Sequence, residues 1–416
     1  MRILYVSQYF PPEMGAPAAR VHELSREWVL LGHTVTVLTG FAHHPTGVKA
    51  PEDRWRLTRR QTVDGIDVVR SYVYAAPNAG TWLRMASYVS FFGSAVLIGA
   101  LRVSRPDIVV ATSPQLLCAC AGYALARLRG VPFVFEVRDL WPESIIAVEA
   151  MPDNLIVRGL KRVARYLYRH SSKIVTVGHG YKRQIEERYS ISPKRIEVVP
   201  NGVDLATFVA GPKDNEVRRQ YGWGDRLVLL YVGTHGMAHA LHVVLEAARQ
   251  FRDDPEKLFV FVGEGARKAE LKRQAAELGL ENVQFIDQQP KARIPLFYAA
   301  CDIGLVTLRN TPLFQDVLPS KIFEYLAMER PVIISVDGEA RKLVQDAGSG
   351  IFVPPENVDE LVDAIRSLAA QPDRLESMGR SGRRYVTAHY RRERLAETYQ
   401  ELLQGIRDAA SPGESG

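Results

Sequence analysis

The chain has 416 residues, of which 46% are hydrophobic and 24% charged, an ordinary globular composition on a length that calls for two or three domains. Its three cysteines, Cys118, Cys120 and Cys301, supply neither a disulfide framework nor a spaced metal set, which excludes a disulfide scaffold and points to a reducing, cytoplasmic setting. The formal net charge of +6 is uneven: residues 1–200 hold 26 Lys and Arg against 16 Asp and Glu, while residues 201–416 hold 27 against 31.

The basic first half is expected to face something anionic. No recognition helix, zinc finger or RNP-type motif is present, so a membrane surface or a lipid diphosphate fits better than nucleic acid. The N-terminus carries only Arg2 before a short strand-like run that meets Pro11 and Pro12, and lacks the apolar core of a signal peptide.

Arg2 to Ser7 reads as a strand, Glu23 to Leu31 as a helix stopped at Gly32, and His33 to Thr39 as the next strand, a βαβ unit. The intervening QYFPPEMGAPAAR has no G-x-G-x-x-G, which argues against a dehydrogenase. Gly15 within it serves either a tight turn or a phosphate contact. His43 and His44 lie in a polar loop without further carboxylates or thiols at useful spacing, so no metal site is expected there. Arg54 to Arg60, with Trp55, is a solvated edge or a headgroup contact.

Met85 to Leu101 is uncharged and flanked by Trp82, Arg84, Arg102 and Arg105. It falls short of the roughly 20 apolar residues that a spanning helix needs. A buried helix, an interfacial helix and a span all remain open, and a helix partly core and partly interfacial satisfies the first two. Arg105 to Thr112 is a strand, Gln115 to Arg129 a helix, and Pro132 to Val137 a strand running into Arg138, Asp139 and Glu143. Strand ends of this kind are where α/β folds place chemistry, although a plain salt-bridge cluster of these three residues is the alternative. Lys161 to Lys173 is a basic helix, Ile196 to Asp204 a strand and turn, and Asp204 to Asn215 a linker.

A second α/β series follows. Arg226 to Val232 is a strand, GTHGMAHA a loop, Leu241 to Phe251 a helix, Leu258 to Val262 a strand, Gly263 to Gly265 a turn, and Asn282 to Ile286 and Cys301 to Leu308 further strands. The amides of Gly233 to Gly236 can cradle a phosphate. In PLFQDVLPSKIFEYLAMERPVII, Pro312 to Ile334, Ser320 opens a helix, Lys321 sits in its first turn and Pro331 ends it. Free N–H groups, the positive helix end and Lys321 make an expected anion site. Glu324, one turn further, suits the vicinal hydroxyls of a ribose. The competing reading is an ordinary helix capped by Ser320.

PSKIFEYLAMERPVI, with Asp316 and Glu324 eight positions apart, resembles the signature segment of the family 4 nucleotide-sugar glycosyltransferases, which usually read Glu-x7-Glu. PNGVD, the Gly15 loop and VRDLWPES extend the resemblance over nearly the whole chain. It implies the GT-B fold: two Rossmann-like α/β domains whose parallel sheets face a central cleft. Residues 1–203 would bind acceptor, 204–215 link, 216–390 bind nucleotide-sugar, 391–408 form a helix crossing back, and 409–416 a disordered tail.

In this resemblance Asp316 meets the donor sugar, Glu324 the ribose, and Gly15 the donor phosphate, with Ala16 where the family has a second glycine. Arg138 stands where the family has histidine and would stabilise the leaving diphosphate. Asp139 matches and would orient or deprotonate the acceptor hydroxyl, and His43 and His44 would lie near the acceptor. The family's Arg and Lys of the phosphate loop are replaced by Thr234 and His239, with His235 beside them. Lys321 and Arg309 then become the cationic clamps, Ser320 opens the phosphate helix, Glu264 joins the donor set, and Ile286 borders the base through its main chain.

FEVRDLWPES and LPSKIFEYLA look like the branch that builds O-antigen, capsule or exopolysaccharide, including enzymes similar to N-acetylfucosaminyltransferases. The resemblance implies a UDP-sugar donor, an N-acetylated deoxyhexose among the sugars, and a polyprenyl-diphosphate-linked acceptor. It further implies retention of configuration, no metal or other cofactor, and peripheral attachment to the inner face of the cytoplasmic membrane. Two other classes stay open: a nucleotide-sugar epimerase of the same fold, which needs no lipid acceptor, and a non-catalytic membrane adaptor, which should not bind UDP.

Overall fold

The computed structural model describes residues 1–13, 15–43, 47–75, 81–144 and 155–410. His44 and residues 411–416 of the expected tail lie outside these. The chain divides into two compact units, residues 1–200 with 392–416, and residues 201–391.

The first unit runs β1 (Arg2–Val6), α1 (Ala16–Leu30), β2 (Thr34–Gly40), β3 (Thr58–Val63), β4 (Ile66–Ser71), α2 (Thr81–Arg102), β5 (Ile108–Thr112), α3 (Leu116–Arg129), β6 (Phe133–Val137), α4 (Leu155–His170), β7 (Lys173–Thr176), α5 (His179–Tyr189) and β8 (Ile196–Val198). The second runs α6 (Glu216–Tyr221), β9 (Leu227–Val232), α7 (Leu241–Arg249), β10 (Lys257–Val262), α8 (Lys268–Glu277), β11 (Val283–Ile286), α9 (Ile294–Ala300), β12 (Ile303–Thr307), α10 (Lys321–Ala327), β13 (Val332–Ser335), α11 (Glu339–Asp346), β14 (Gly350–Phe352), α12 (Val358–Ala369) and α13 (Pro372–His389). The last helix, α14 (Arg392–Ala410), belongs to the first unit.

The first sheet has eight strands in the order β3-β4-β2-β1-β5-β6-β7-β8, parallel except for β3 against β4. The second has six parallel strands, β11-β10-β9-β12-β13-β14. Helices cover both faces of such sheets, so the central strands read as unbroken apolar runs, LVLLYV in β9 and LFVFV in β10, rather than alternating. Strand order reverses at β1/β5 and at β9/β12, the switch points beside which α/β folds bind ligands.

Trp28 of α1 docks α14: its indole N–H donates to the Ala396 carbonyl at 3.1 Å and its ring meets Tyr399 edge-on at 5.2 Å. A fully buried tryptophan with its polar atom satisfied contributes about 3–5 kcal/mol against truncation.

Several sequence expectations shift. Helix α1 begins at Ala16 rather than Glu23, because Gly15 in an extended φ > 0 conformation turns the chain and Pro17 fits the first helical turn. Arg54 to Arg60 does not form one solvated edge: from Thr58 it enters the antiparallel hairpin β3–β4, with Arg60 paired to Asp67 at 2.7 Å. Residues 204–215 are tied into the second unit, where Lys213 meets Asp302 at 2.6 Å, Arg330 donates to the Gly211 carbonyl at 3.0 Å, and Asn215 caps α6. Ala409 and Ala410 complete α14 and are not tail.

Candidate active site

In the second unit the end of β9 and the start of α10 meet at the Lys321 ammonium. The Lys321 Nζ is enclosed without a hydrogen-bond acceptor among the described residues, and lies 3.6 Å above the Tyr231 ring. Tyr231 is held by its hydroxyl, which donates to the Thr234 carbonyl at 2.8 Å. A side chain on Gly233 would begin 3.0 Å from the Lys321 Nζ, so glycine there leaves the ammonium its room. Burial pushes Lys321 down to about 7, with Glu324 the opposing influence.

Two histidines share this environment. His235 is fully buried and, among the described residues, neither of its ring nitrogens nor the His239 Nδ1 has a hydrogen-bond partner. Burial and the neighbouring lysines hold His235 down to about 3, and burial, Lys321 and His235 do the same to His239. Both imidazoles are therefore neutral at physiological pH. Four enclosed nitrogens without a hydrogen-bond partner are a costly arrangement, and an anionic ligand would supply acceptors for those that carry a proton.

The loop is stitched to the turn after β10. The Gly233 amide donates to the Val262 carbonyl at 2.9 Å and the His235 amide to the Glu264 carbonyl at 2.8 Å. A β-carbon on Gly263, whose φ is +144°, would stand 2.0 Å from the Gly233 carbonyl oxygen, which is why only glycine fits. The expected cradle of four amides is thus reduced to Thr234 and Gly236. Glu264 acts through its main chain, its carboxylate meeting Lys268 at 2.5 Å. The Ile286 carbonyl accepts from the Gly263 amide at 3.0 Å, so its main chain is already engaged within the sheet end.

Ser320 does not cap α10: its backbone is already helical and its hydroxyl makes no capping bond. The Ile322 and Phe323 amides are taken by Pro319 and Ser320 carbonyls at 3.1 Å. In this short helix the anion attraction comes from the Lys321 side chain rather than from a row of open amides. Glu324 accepts from the Tyr298 hydroxyl at 2.5 Å, which orients the carboxylate and pushes Tyr298 further above its usual range, where burial already puts it. Asp316 closes the 3₁₀ turn Pro312–Asp316, and the Arg309 amide is held by the Ala238 carbonyl at 2.9 Å. Arg309 lines a pocket whose walls do not include Lys321.

In the first unit Gly15, Arg138 and Asp139 come together at strand ends. The Arg138 Nη1 donates to the Pro17 carbonyl at 3.1 Å, joining the end of β6 to the first turn of α1. The Ser113 hydroxyl accepts from the Arg138 amide at 3.0 Å and donates to the Asp139 carbonyl at 3.2 Å. Burial raises the Asp139 carboxyl, with Ser144 and the Leu140 amide opposing. Among the described residues no ion pair joins Arg138, Asp139 and Glu143, and Glu143 accepts from the Tyr189 hydroxyl at 2.5 Å. His43 is buried against Glu13, whose carboxylate accepts from the His43 amide at 3.0 Å.

Sequence reasoning missed the network beneath this site. Arg20 and Glu136, both buried, pair at 2.9 Å; Tyr5 donates to Glu136; and Arg20 also donates to the Val199 and Pro200 carbonyls at 2.9 Å. The signal available was a lone carboxylate in FVFEV, a strand otherwise apolar, which demands a buried cation. Among the described residues no three His, Cys, Asp or Glu side chains converge as a metal site.

Two family models match the chain: "Glycosyl transferase 4-like domain" over residues 15–202 and "Glycosyl transferases group 1" over 213–385. WcaI of Escherichia coli, named as a glycosyl transferase of colanic acid biosynthesis, is 26% identical over 89% of this chain and 93% of its own. A GDP-mannose-dependent phosphatidylinositol monomannoside mannosyltransferase of Mycobacterium tuberculosis is 28% identical over 97% and 98%. Among solved structures, sucrose-phosphate synthase from Thermosynechococcus elongatus superposes with TM-score 0.79 at 17% identity, covering 98% of this chain and 99% of that one. Anabaena HepE in complex with UDP and glucose does so with TM-score 0.74 at 19% identity, covering 97% and 99%. With two parallel-sheet Rossmann-like units and both halves matched, the chain belongs to the family 4, group 1 glycosyltransferases and has the GT-B fold.

Proposed function

We propose that this glycosyltransferase moves a sugar from a UDP-sugar to a polyprenyl-diphosphate-linked saccharide during surface polysaccharide assembly, with retention of configuration and without a metal. The observation that carries the reading is the enclosed, unpaired Lys321 ammonium beside the Gly233 loop, with Glu324 oriented one turn away by Tyr298. A diphosphate supplies the acceptor that Lys321 lacks, and a ribose supplies the donors that Glu324 can take.

As the glycosidic bond breaks, negative charge grows on the diphosphate, and Lys321 stabilises it in surroundings that water does not dilute. The acceptor hydroxyl attacks from the face the diphosphate leaves, and a diphosphate oxygen takes its proton. Asp139, its carboxyl raised by burial, orients that hydroxyl, while Arg138 adds positive charge at the end of β6. N-acetylated deoxyhexoses are the first donor sugars to try. WcaI, named for colanic acid biosynthesis, supports the pathway, and HepE with UDP supports the donor class.

Membrane attachment is part of the same proposal. Helix α2 packs on α3 yet leaves Leu83, Val89, Leu97 and Leu101 exposed, the last two at 59% and 71%. Helix α4, which also packs on α3, exposes Leu155, Ile156, Val163 and Tyr166 among Arg158, Arg162, Arg165 and Arg169. Apolar side chains ringed by arginines suit an anionic lipid surface. The test is transfer of labelled sugar from a panel of UDP-sugars to lipid-linked saccharide, followed by solvent extraction. Label entering lipid supports the reading, and interconversion of the nucleotide-sugar without any acceptor would replace it with the epimerase.

A further inference from the structure

The loop after β12 and the turns after β13 and β14 enclose a pocket of about 310 Å3 that is lined by none of Lys321, His235, His239 or Glu324. That volume lies at the low end for ligand sites, enough for one sugar ring and a substituent rather than a nucleotide. Two arginines, Arg309 and Arg341, line it. Arg341 is stacked 4.1 Å over the Phe352 ring and tethered by Asp337 at 3.4 Å. The same Asp337 oxygen accepts from the Gly338 amide at 2.8 Å, so the acid is spent on holding the arginine and the turn.

The walls are formed in advance of any ligand. At Gly338, with φ +78°, a β-carbon would stand 1.9 Å from the Gln315 carbonyl oxygen, so the two walls meet backbone to backbone. The Asn310 amide donates to Glu356 at 2.9 Å, fixing the loop from the other side. Phe314 and Pro354 give apolar surface of the kind on which the C–H face of a sugar ring packs. The Thr311 hydroxyl is enclosed and has no hydrogen-bond partner among the described residues, an unmet polar group at the pocket.

We propose that this pocket binds an anionic monosaccharide unit, a uronate or a sugar phosphate, with Arg309 and Arg341 on its carboxylate or phosphate, Thr311 on a hydroxyl and its ring on Phe314. The chemistry does not depend on the nucleotide reading of Lys321. The unit comes either from the donor sugar, since Asp316 directly follows Gln315 of the pocket wall, or from a saccharide bound apart from the nucleotide.

The test is an NMR titration of the full chain with glucuronate, glucose 6-phosphate, glucose and inorganic phosphate, without and with saturating UDP. Glucuronate and glucose 6-phosphate should bind more than about ten-fold tighter than glucose or phosphate, the share of one charge-assisted contact. Arg341→Ala should erase that preference, Thr311→Val should weaken both ligands, and UDP affinity should stay unchanged in both variants. Displacement by UDP-glucuronate but not by UDP-glucose assigns the pocket to the donor sugar; binding that persists with either nucleotide-sugar assigns it to a separate saccharide. Equal affinity for neutral glucose, equal affinity for phosphate, or an Arg341→Ala variant that binds as before overturns the proposal. A failure of UDP to bind leaves these outcomes readable and counts only against the nucleotide site.

Discussion

Binding of UDP should draw a proton into the protein. Lys321 sits at about 7 instead of 10.5 because its ammonium is buried without an acceptor. At about pH 8 it is roughly 90% neutral in the free protein, and a diphosphate beside it restores the charged form, so binding takes up ~0.9 proton, against ~0.1 near pH 6. Affinity should fall towards ten-fold per pH unit above about 7. The full depression corresponds to roughly 5 kcal/mol between the two protonation states. The free protein carries the mirror effect. A lysine whose folded value lies below its unfolded value costs stability fully below about pH 7, and the cost fades as pH climbs towards 10.5. Lys321→Met should therefore raise the melting temperature more near pH 6 than near pH 10, while weakening UDP. Calorimetry at about pH 8 in two buffers of different ionisation enthalpy reads the uptake directly. Heats independent of buffer, with UDP affinity flat across pH 6 to 9, would refute the reasoning.

Other perturbations follow from named contacts. Tyr298→Phe removes the hydroxyl that holds Glu324 at 2.5 Å, and should loosen UDP a few-fold, about 0.5–1.5 kcal/mol, measured by the same titration; an unchanged affinity would take Tyr298 out of the site. Glu136→Ala strands Arg20 in the core, where the pair is buried, and should cost about 3–5 kcal/mol in urea unfolding; a shift under 1 kcal/mol would show the charge finding another partner. Gly263→Ala puts a β-carbon 2.0 Å from the Gly233 carbonyl, and should abolish UDP binding along with a loss of stability; a variant that binds normally would mean that the loop position does not matter. Leu97→Asp with Leu101→Asp, on the exposed face of α2, should reduce sedimentation with anionic vesicles and leave the melting temperature unmoved; undiminished sedimentation would place the lipid contact elsewhere.

The alternation of apolar runs with helical segments was legible from sequence because parallel strands covered on both faces are continuous apolar stretches, and VFVGEGA and LLYVGTHG mark their strand ends by glycine. The start of α1 was not, since PPEMGAPAAR reads as a loop until Gly15 is known to turn the chain directly into a helix. The β3–β4 hairpin was missed because RRQTV in an edge strand carries charge on both faces and has no apolar alternation. Around the site, the spacing of Lys321 and Glu324 placed them on one short helix. What each side chain touches was a matter of tertiary packing: Tyr231 and Tyr298 lie 90 and 26 residues away in sequence, and no local pattern links them. Arg309 and Lys321 were named as clamps because the loop after β9 lacks the basic pair the resemblance implies; Arg309 lines the pocket beside Asn310 and Thr311, and Lys321 lies against Tyr231.

The central claim is that Lys321 and Glu324 form a nucleoside-diphosphate site. It is tested most directly by calorimetric titration of the protein with UDP, GDP and ADP, repeated on Glu324→Ala. The account predicts UDP bound in preference to the other two, and that binding weakened at least ten-fold in Glu324→Ala, about 1.4 kcal/mol or more. Preference for GDP would keep the site and change the donor base. Failure of all three nucleotides to bind, or UDP affinity unaltered in Glu324→Ala, would contradict it.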